Sequence, residues 1–189
     1  ADLIFLGGGI EGGFQRDSYA AFAEASVALT DSLEMNVAAR YESLETDSSL
    51  DPKIALRWQA TDNVVVRASM STAFREASLV QQYNQSTSLQ GLVDVGATSA
   101  LFVRVLAEGS KDLKPETSTN TNLGVVWSPS DNFDFRVDYW KFDYEDVITV
   151  QNAQGLLTAD PNGPNVSRVN GVLNGMKVAY FNAASVETD

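Results

Sequence analysis

Leu33-Glu-Met-Asn-Val-Ala-Ala-Arg-Tyr-Glu-Ser43 decides the fold. Leu33, Met35, Val37, Ala39 and Tyr41 fall on one parity; Glu34, Asn36, Ala38, Arg40 and Glu42 fall on the other. A β-strand sends successive side chains to opposite faces, so this stretch has one apolar and one charged face. Strands of soluble proteins average about 5–6 residues, whereas a tilted strand crossing a bilayer needs roughly 9–11. This stretch is long enough to cross a membrane.

The alternation recurs. Tyr19, Ala21, Ala23, Ala25, Val27 and Leu29 oppose Ser18, Ala20, Glu24 and Ser26. Ile54, Leu56, Trp58 and Ala60 oppose Lys53, Arg57 and Gln59, and Val64, Val66, Ala68, Met70 and Phe74 oppose Arg67, Ser69, Ser71 and Arg75. Leu123, Val125 and Trp127 oppose Asn120, Asn122 and Ser128; Phe133, Phe135, Val137 and Tyr139 oppose Asp134, Arg136 and Asp138. A weaker candidate runs over 176–186. No convincing helical stripe competes, so the chain reads as all-β with about seven strands.

The connections alternate in length. Thr30-Asp-Ser32, Thr61-Asp-Asn63 and Ser128-Pro-Ser-Asp-Asn132 are tight turns built from turn-favouring residues. Between them lie a short loop over 45–51 and two long ones over about 76–115 and 145–175. Short turns at one end and long loops at the other describe an up-and-down barrel of the outer-membrane kind. The aromatic residues agree. Trp58, Trp127 and Phe133 sit beside the tight turns, Tyr19, Tyr41, Phe74 and Tyr139 towards the opposite ends, and all seven share the apolar parity. At about 3.3 Å per residue and a tilt near 40°, the rise from Val64 to Phe74 is roughly 25 Å, the height of a lipid-facing band with its two aromatic girdles. The competing reading is a soluble β-sandwich whose core holds the same rings. Beyond Tyr139 the outward row becomes Lys141, Asp143 and Glu145; the expectation is that the strand has risen above the lipid, not that a bulge resets its parity.

Composition narrows the function. The 189 residues carry a net charge of −12, 44% hydrophobic residues, no cysteine and no histidine. The acidic balance argues against nucleic acid, which needs clustered Lys and Arg. Without cysteine or histidine the commonest nucleophile, general base and metal ligands are missing, so the chain does not read as an enzyme and no cofactor is expected. No run of about 18 apolar residues supplies a membrane helix. Asp143, Glu145 and Asp146 read as a solvated acidic loop in preference to a cation site. Gly7-Gly-Gly9 and Gly12-Gly13 read as flexible loop, since neither a P-loop Lys nor a following helix accompanies them.

Three motifs carry a resemblance. Arg67-Ala-Ser-Met-Ser-Thr-Ala-Phe-Arg-Glu-Ala-Ser78 resembles the barrel motif of TonB-dependent outer-membrane receptors, with Glu76-Ala77 where Ala-Pro is more usual. Leu113-Lys-Pro-Glu-Thr-Ser-Thr-Asn-Thr-Asn-Leu-Gly124 resembles the family's entry into the next strand, and Val137-Asp-Tyr-Trp-Lys-Phe-Asp-Tyr-Glu-Asp-Val-Ile148 the strand after it. The resemblance covers about 16–187. It implies a barrel of about 22 strands with a plug in its lumen, energised through the TonB complex and importing a scarce nutrient such as a ferric siderophore, cobalamin or an oligosaccharide. On this reading residues 1–189 are an internal part of one receptor barrel domain, with plug and remaining strands outside them, in the bacterial outer membrane among lipid and lipopolysaccharide. A passive porin-like or structural barrel is the alternative.

Glu24, Arg40, Arg57, Arg67 and Arg136 are then the expected lumen row, able to hydrogen-bond a plug. Tyr19, Tyr41, Trp58, Phe74, Trp127, Phe133 and Tyr139 are the expected girdles. Tyr83, Asn84, Phe102 and Arg104, on the long loops, are the expected substrate contacts.

Overall fold

The computed structural model describes residues 7–9, 12–44, 47–83 and 85–188. Along the chain run β1 Gly7–Gly9, β2 Ser18–Ala28, β3 Leu33–Leu44, β4 Ser48–Thr61, β5 Val64–Arg75, α1 Leu79–Tyr83, β6 Gln85–Leu92, β7 Leu101–Glu108, β8 Glu116–Ser130, β9 Phe133–Val150, α2 Ala153–Ala159, β10 Val166–Val169 and β11 Val172–Thr188. No described helix is long and apolar enough to cross a membrane. Contacts divide the chain into two compact units, one of Ala1–Gln15, Glu76–Lys114 and Ile148–Ala183, the other of Arg16–Arg75, Pro115–Val147 and Ala184–Asp189.

The second unit is the two-faced sheet that the alternation demands. Its strands run antiparallel in the order β9-β8-β5-β4-β3-β2. The tight turns close as their composition requires. At the first, the Leu29 amide donates to the Leu33 carbonyl at 2.8 Å, and the Leu33 amide donates to Thr30 Oγ1 at 3.0 Å. Register puts the apolar residues of five strands in line: Met35, Leu56, Ala68, Leu123 and Tyr139 are successive partners. Beyond Tyr139 the pairing with β8 continues without a shift through Trp140↔Asn122 to Glu145↔Thr117, so no bulge resets the parity there. The first irregularity follows at Asp146, which takes a left-handed φ of 54°.

One strand boundary differs from expectation. β4 starts at Ser48, inside the expected 45–51 loop, although Pro52 lies in it. Pro52 pairs with Ala39 of β3, while the β4–β5 ladder begins only at Lys53↔Ser71, so the missing N–H falls where one neighbour is absent.

The first unit corrects the reading of 76–115 and 145–175 as loops, and the expectation that no helix occurs. These segments carry α1, α2, β6, β7 and β10, which add to the expected strands. Gly7–Gly9, expected as flexible loop, is β1 and pairs antiparallel with Ser86–Ser88. β6 and β7 form a hairpin, and β11 lies beside β7 in parallel, Gly175 to Ala179 against Arg104 to Glu108. One side of this sheet is a core: Leu92, Val103, Val105, Leu173, Met176 and Val178 close over Ala153 and Leu157 of α2. Leu173 and Met176 have opposite parity, yet both are buried. The register shift between Ser167 and Arg168 leaves Asn174 as the extra residue that turns β11 over.

Candidate functional site

The expected lumen row does share one face of the second unit, because cross-strand partners point the same way. Glu24 accepts from Asn36 Nδ2 at 2.9 Å; Arg40 donates to Glu42 at 2.7 Å; Arg57 donates to Gln59 at 3.1 Å; Arg136 donates to Asp134 at 2.9 Å. Arg67 pairs with Asp138 at 3.0 Å across the intervening strand β8. That reach depends on Gly124, the partner of both, since a Cβ there would overlap Asp138 Oδ1. Arg57 and Arg67 are direct partners and line one hollow of about 340 Å³ with Glu34, Asn36, Lys53 and Asp138. Glu24 and Arg40 line a second, of about 580 Å³, with Glu42, Lys53 and Ser71. Arg136 lines neither.

The opposite face is apolar and bare. Tyr41, Trp58 and Trp127 are each 48% exposed. A sandwich core would bury all three between sheets, so the soluble-sandwich reading fails. Tyr19, Phe133 and Tyr139 are more exposed still, and Phe74 is half-buried.

In the first unit the expected contact residues separate. Phe102 and Arg104 share the exposed side of β7, opposite buried Val103 and Val105. Phe102 lies over Gly91 of β6 and is 75% exposed; Arg104 has no ion pair among the described residues. Tyr83 stacks on Phe14 at 5.1 Å with the Lys111 ammonium 5.1 Å from its ring centre, which makes it partly a structural anchor. Asn84 lies outside the described residues. Among these, no group of three or more carboxylates is arranged to hold a metal.

Pattern reading missed the clasp that orders this unit. Arg168 grips Asp94 with two bonds of 2.7 Å and also donates to the carbonyls of Pro161 and Gly171. The Arg168 hydrogen bonds hold the Asp94 carboxyl below the usual carboxylate range, against a smaller opposing effect of burial. Beside it, the Gln154 amide accepts from the Val93 N–H at 2.8 Å and donates to its carbonyl at 3.0 Å, as a neighbouring strand would. The partners are 74 and 61 residues apart in sequence, so no local signal announces them.

A two-faced sheet of membrane-length strands, with charged residues on one side and bare aromatic rings on the other, is built as the wall of a transmembrane β-barrel. The family model "TonB dependent receptor-like, beta-barrel" matches residues 5–188, and the chain belongs to that family. The matched family is one of receptor barrels, not of enzymes. A curated relative, the probable TonB-dependent siderophore receptor PirA of Acinetobacter baumannii, is 24% identical over 148 residues, which are 78% of this chain and 19% of that protein. Among solved structures, a mutant of the ferric enterobactin receptor PfeA of Pseudomonas aeruginosa, in complex with enterobactin, aligns with a TM-score of 0.69 at 18% identity, over 90% of this chain and 23% of its own. The crystal structure of PirA from Acinetobacter baumannii gives 0.66 at 18% identity, over 90% and 24%. The chain thus spans about a fifth to a quarter of the length of these relatives.

Proposed function

We propose that residues 1–189 belong to one barrel domain of an outer-membrane receptor that imports a ferric siderophore with energy from the TonB complex. Plug and remaining strands are supplied by the rest of such a receptor. The charged face carrying Glu24, Arg40, Arg57, Arg67 and Arg136 lines the lumen and meets the plug. The apolar face meets lipid, with Tyr41, Phe74 and Tyr139 at one girdle and Trp58, Trp127 and Phe133 at the other; Tyr19 belongs to the first. The acidic surface implied by the net charge of −12 suits divalent-cation bridging to lipopolysaccharide.

The observation that carries this reading is the family match across nearly the whole chain. The siderophore, as against cobalamin or an oligosaccharide, is supported by what the named relatives bind. Phe102 and Arg104 fit that ligand class: a flat apolar ring beside a cation suits an aryl-bearing anion. The test is uptake of radioactive iron by cells carrying the intact receptor, presented as ferric enterobactin and as a panel of other ferric siderophores. Deleting the receptor abolishes uptake of at least one of them, collapse of the proton-motive force does the same, and Phe102→Ala or Arg104→Ala weakens binding about tenfold at unchanged outer-membrane level. Unchanged uptake of every ferric siderophore on deletion overturns the proposal.

A further inference from the structure

Three aromatic rings stand in file on the charged face of the second unit. Trp140, Phe142 and Tyr144 occupy alternate positions of β9, with ring centres 5.4 Å and 6.2 Å apart. Their direct partners on β8 are Asn122, Asn120 and Ser118, and those of β8 on β5 are Ser69, Ser71 and Ala73. Core packing does not account for the rings: Trp140 is 48% and Tyr144 38% exposed, and none of them belongs to a buried cluster. Ring-to-ring contact explains their mutual spacing. It does not explain why the largest apolar groups of the strand change to the polar face.

The neighbouring row is open as well. The Asn120 amide and the Ser118 hydroxyl make no hydrogen bond to any other described residue, and Asn122 donates only to the Tyr139 carbonyl at 3.2 Å. The six positions carry no formal charge. The charges that border them on this face are paired, Arg67 with Asp138 at one end and Arg75 with Glu116 at the other, and Lys53 lies a strand further, beyond Ser71. Alternate strand residues rise about 6.7 Å, so the rings make a continuous apolar strip flanked along its length by unused amide and hydroxyl groups. An anionic centre finds no cation there. A flat ring with apolar faces and hydroxyls on its rim matches both rows: its faces lie on Trp140 and Phe142, while its rim reaches their partners Asn122 and Asn120.

We propose that this strip binds uncharged, hydroxylated rings, of a sugar or a catechol. The proposal rests on the reading of the charged face as the barrel interior, and it adds to the loop residues Phe102 and Arg104 a recognition strip on the wall itself.

The experiment titrates the intact receptor in detergent micelles with glucose and, separately, with catechol. The readout is tryptophan emission, taken as the difference between the native receptor and Trp140→Phe. Heat-modifiable gel migration establishes that every variant is a folded barrel; a receptor never found as a barrel in the outer membrane removes the underlying reading instead. A saturable, Trp140-dependent change with either probe, weakened about two- to tenfold in Phe142→Ala and in Asn120→Ala, supports the strip; the responding probe says which ring class it takes. Two results overturn it in a folded receptor: no Trp140-dependent response to either probe, or a Trp140 that acrylamide cannot reach, which means that the face is covered by protein.

Discussion

Replacing Leu157 tests whether the long connections carry a core of their own. Leu157 is fully buried, and with Ala153 it is one of the two buried residues of α2. A helix of seven residues is far below the roughly 12–15 at which an isolated helix holds. The Asn152 cap, which accepts the Gly155 amide at 2.8 Å, cannot replace that anchor. Leu157→Ala removes the apolar contact and leaves a cavity among Leu92, Val105, Leu173 and Met176, at a cost of about 3 kcal/mol. That is roughly a hundredfold in the local opening equilibrium. Because Gln154 binds Val93 from both sides, the tip after β6 loses its support with the helix. Hydrogen exchange on the intact receptor, read by mass spectrometry, should show protection falling about a hundredfold over 152–160 and over 92–98, with the amides of β3 unchanged. Unaltered exchange over 152–160, or a loss spread evenly over both units, refutes the reasoning.

Two further outcomes follow from the geometry. Gly124→Ala should leave barrel stability within about 0.5 kcal/mol, because the gain from replacing a strand glycine, about 0.5–1 kcal/mol, offsets the loss of the half-exposed Arg67–Asp138 pair, at most about 1 kcal/mol. In an Asp138→Ala background the same change should stabilise by about 0.5–1 kcal/mol; urea unfolding in lipid vesicles measures both, and equal effects in the two backgrounds would show that Gly124 does not serve the pair. The Asp94 clasp should be fully present above the ordinary carboxylate pKa of about 3.9 and be lost as pH falls through the lower value of the folded state. Limited proteolysis across 93–100 should then accelerate in acid, in Asp94→Asn already at neutral pH; a pH-independent cleavage rate in the native chain contradicts this.

The sequence disclosed the wall better than the loops, for a physical reason. Each wall strand is wetted differently on its two faces, so Leu33 to Ser43 or Val64 to Phe74 carry a period of two that needs no partner to be read. The bare side chains of Trp58 and Trp127, and the shared face of Arg57 and Arg67, follow from parity alone. In the first unit the period is broken. Gly7–Gly9 has no side chains to alternate, Asn174 inverts the parity between Leu173 and Met176, and α2 is too short to show a stripe. Its order comes from Arg168–Asp94 and Gln154–Val93, contacts that join distant segments and leave no local pattern. Of the expected ligand contacts, Phe102 and Arg104 lie together on an exposed face, while Tyr83 is engaged by Phe14 and Lys111. The charged outward row beyond Tyr139 is legible in the sequence, but only the unbroken register with β8 puts Trp140, Phe142 and Tyr144 on the charged face.

The orientation of the two faces is the central claim, and β5 tests it most directly. Single cysteines placed from Val64 to Phe74 in the intact receptor, otherwise free of cysteine, are labelled with a fluorophore and reconstituted into vesicles of brominated lipid. Labels at Val64, Val66, Ala68 and Met70 should be quenched by the lipid, and labels at Val65, Arg67, Ser69 and Ser71 by aqueous iodide instead, alternating residue by residue. Quenching without that alternation, or with the two parities exchanged, contradicts the barrel wall described above.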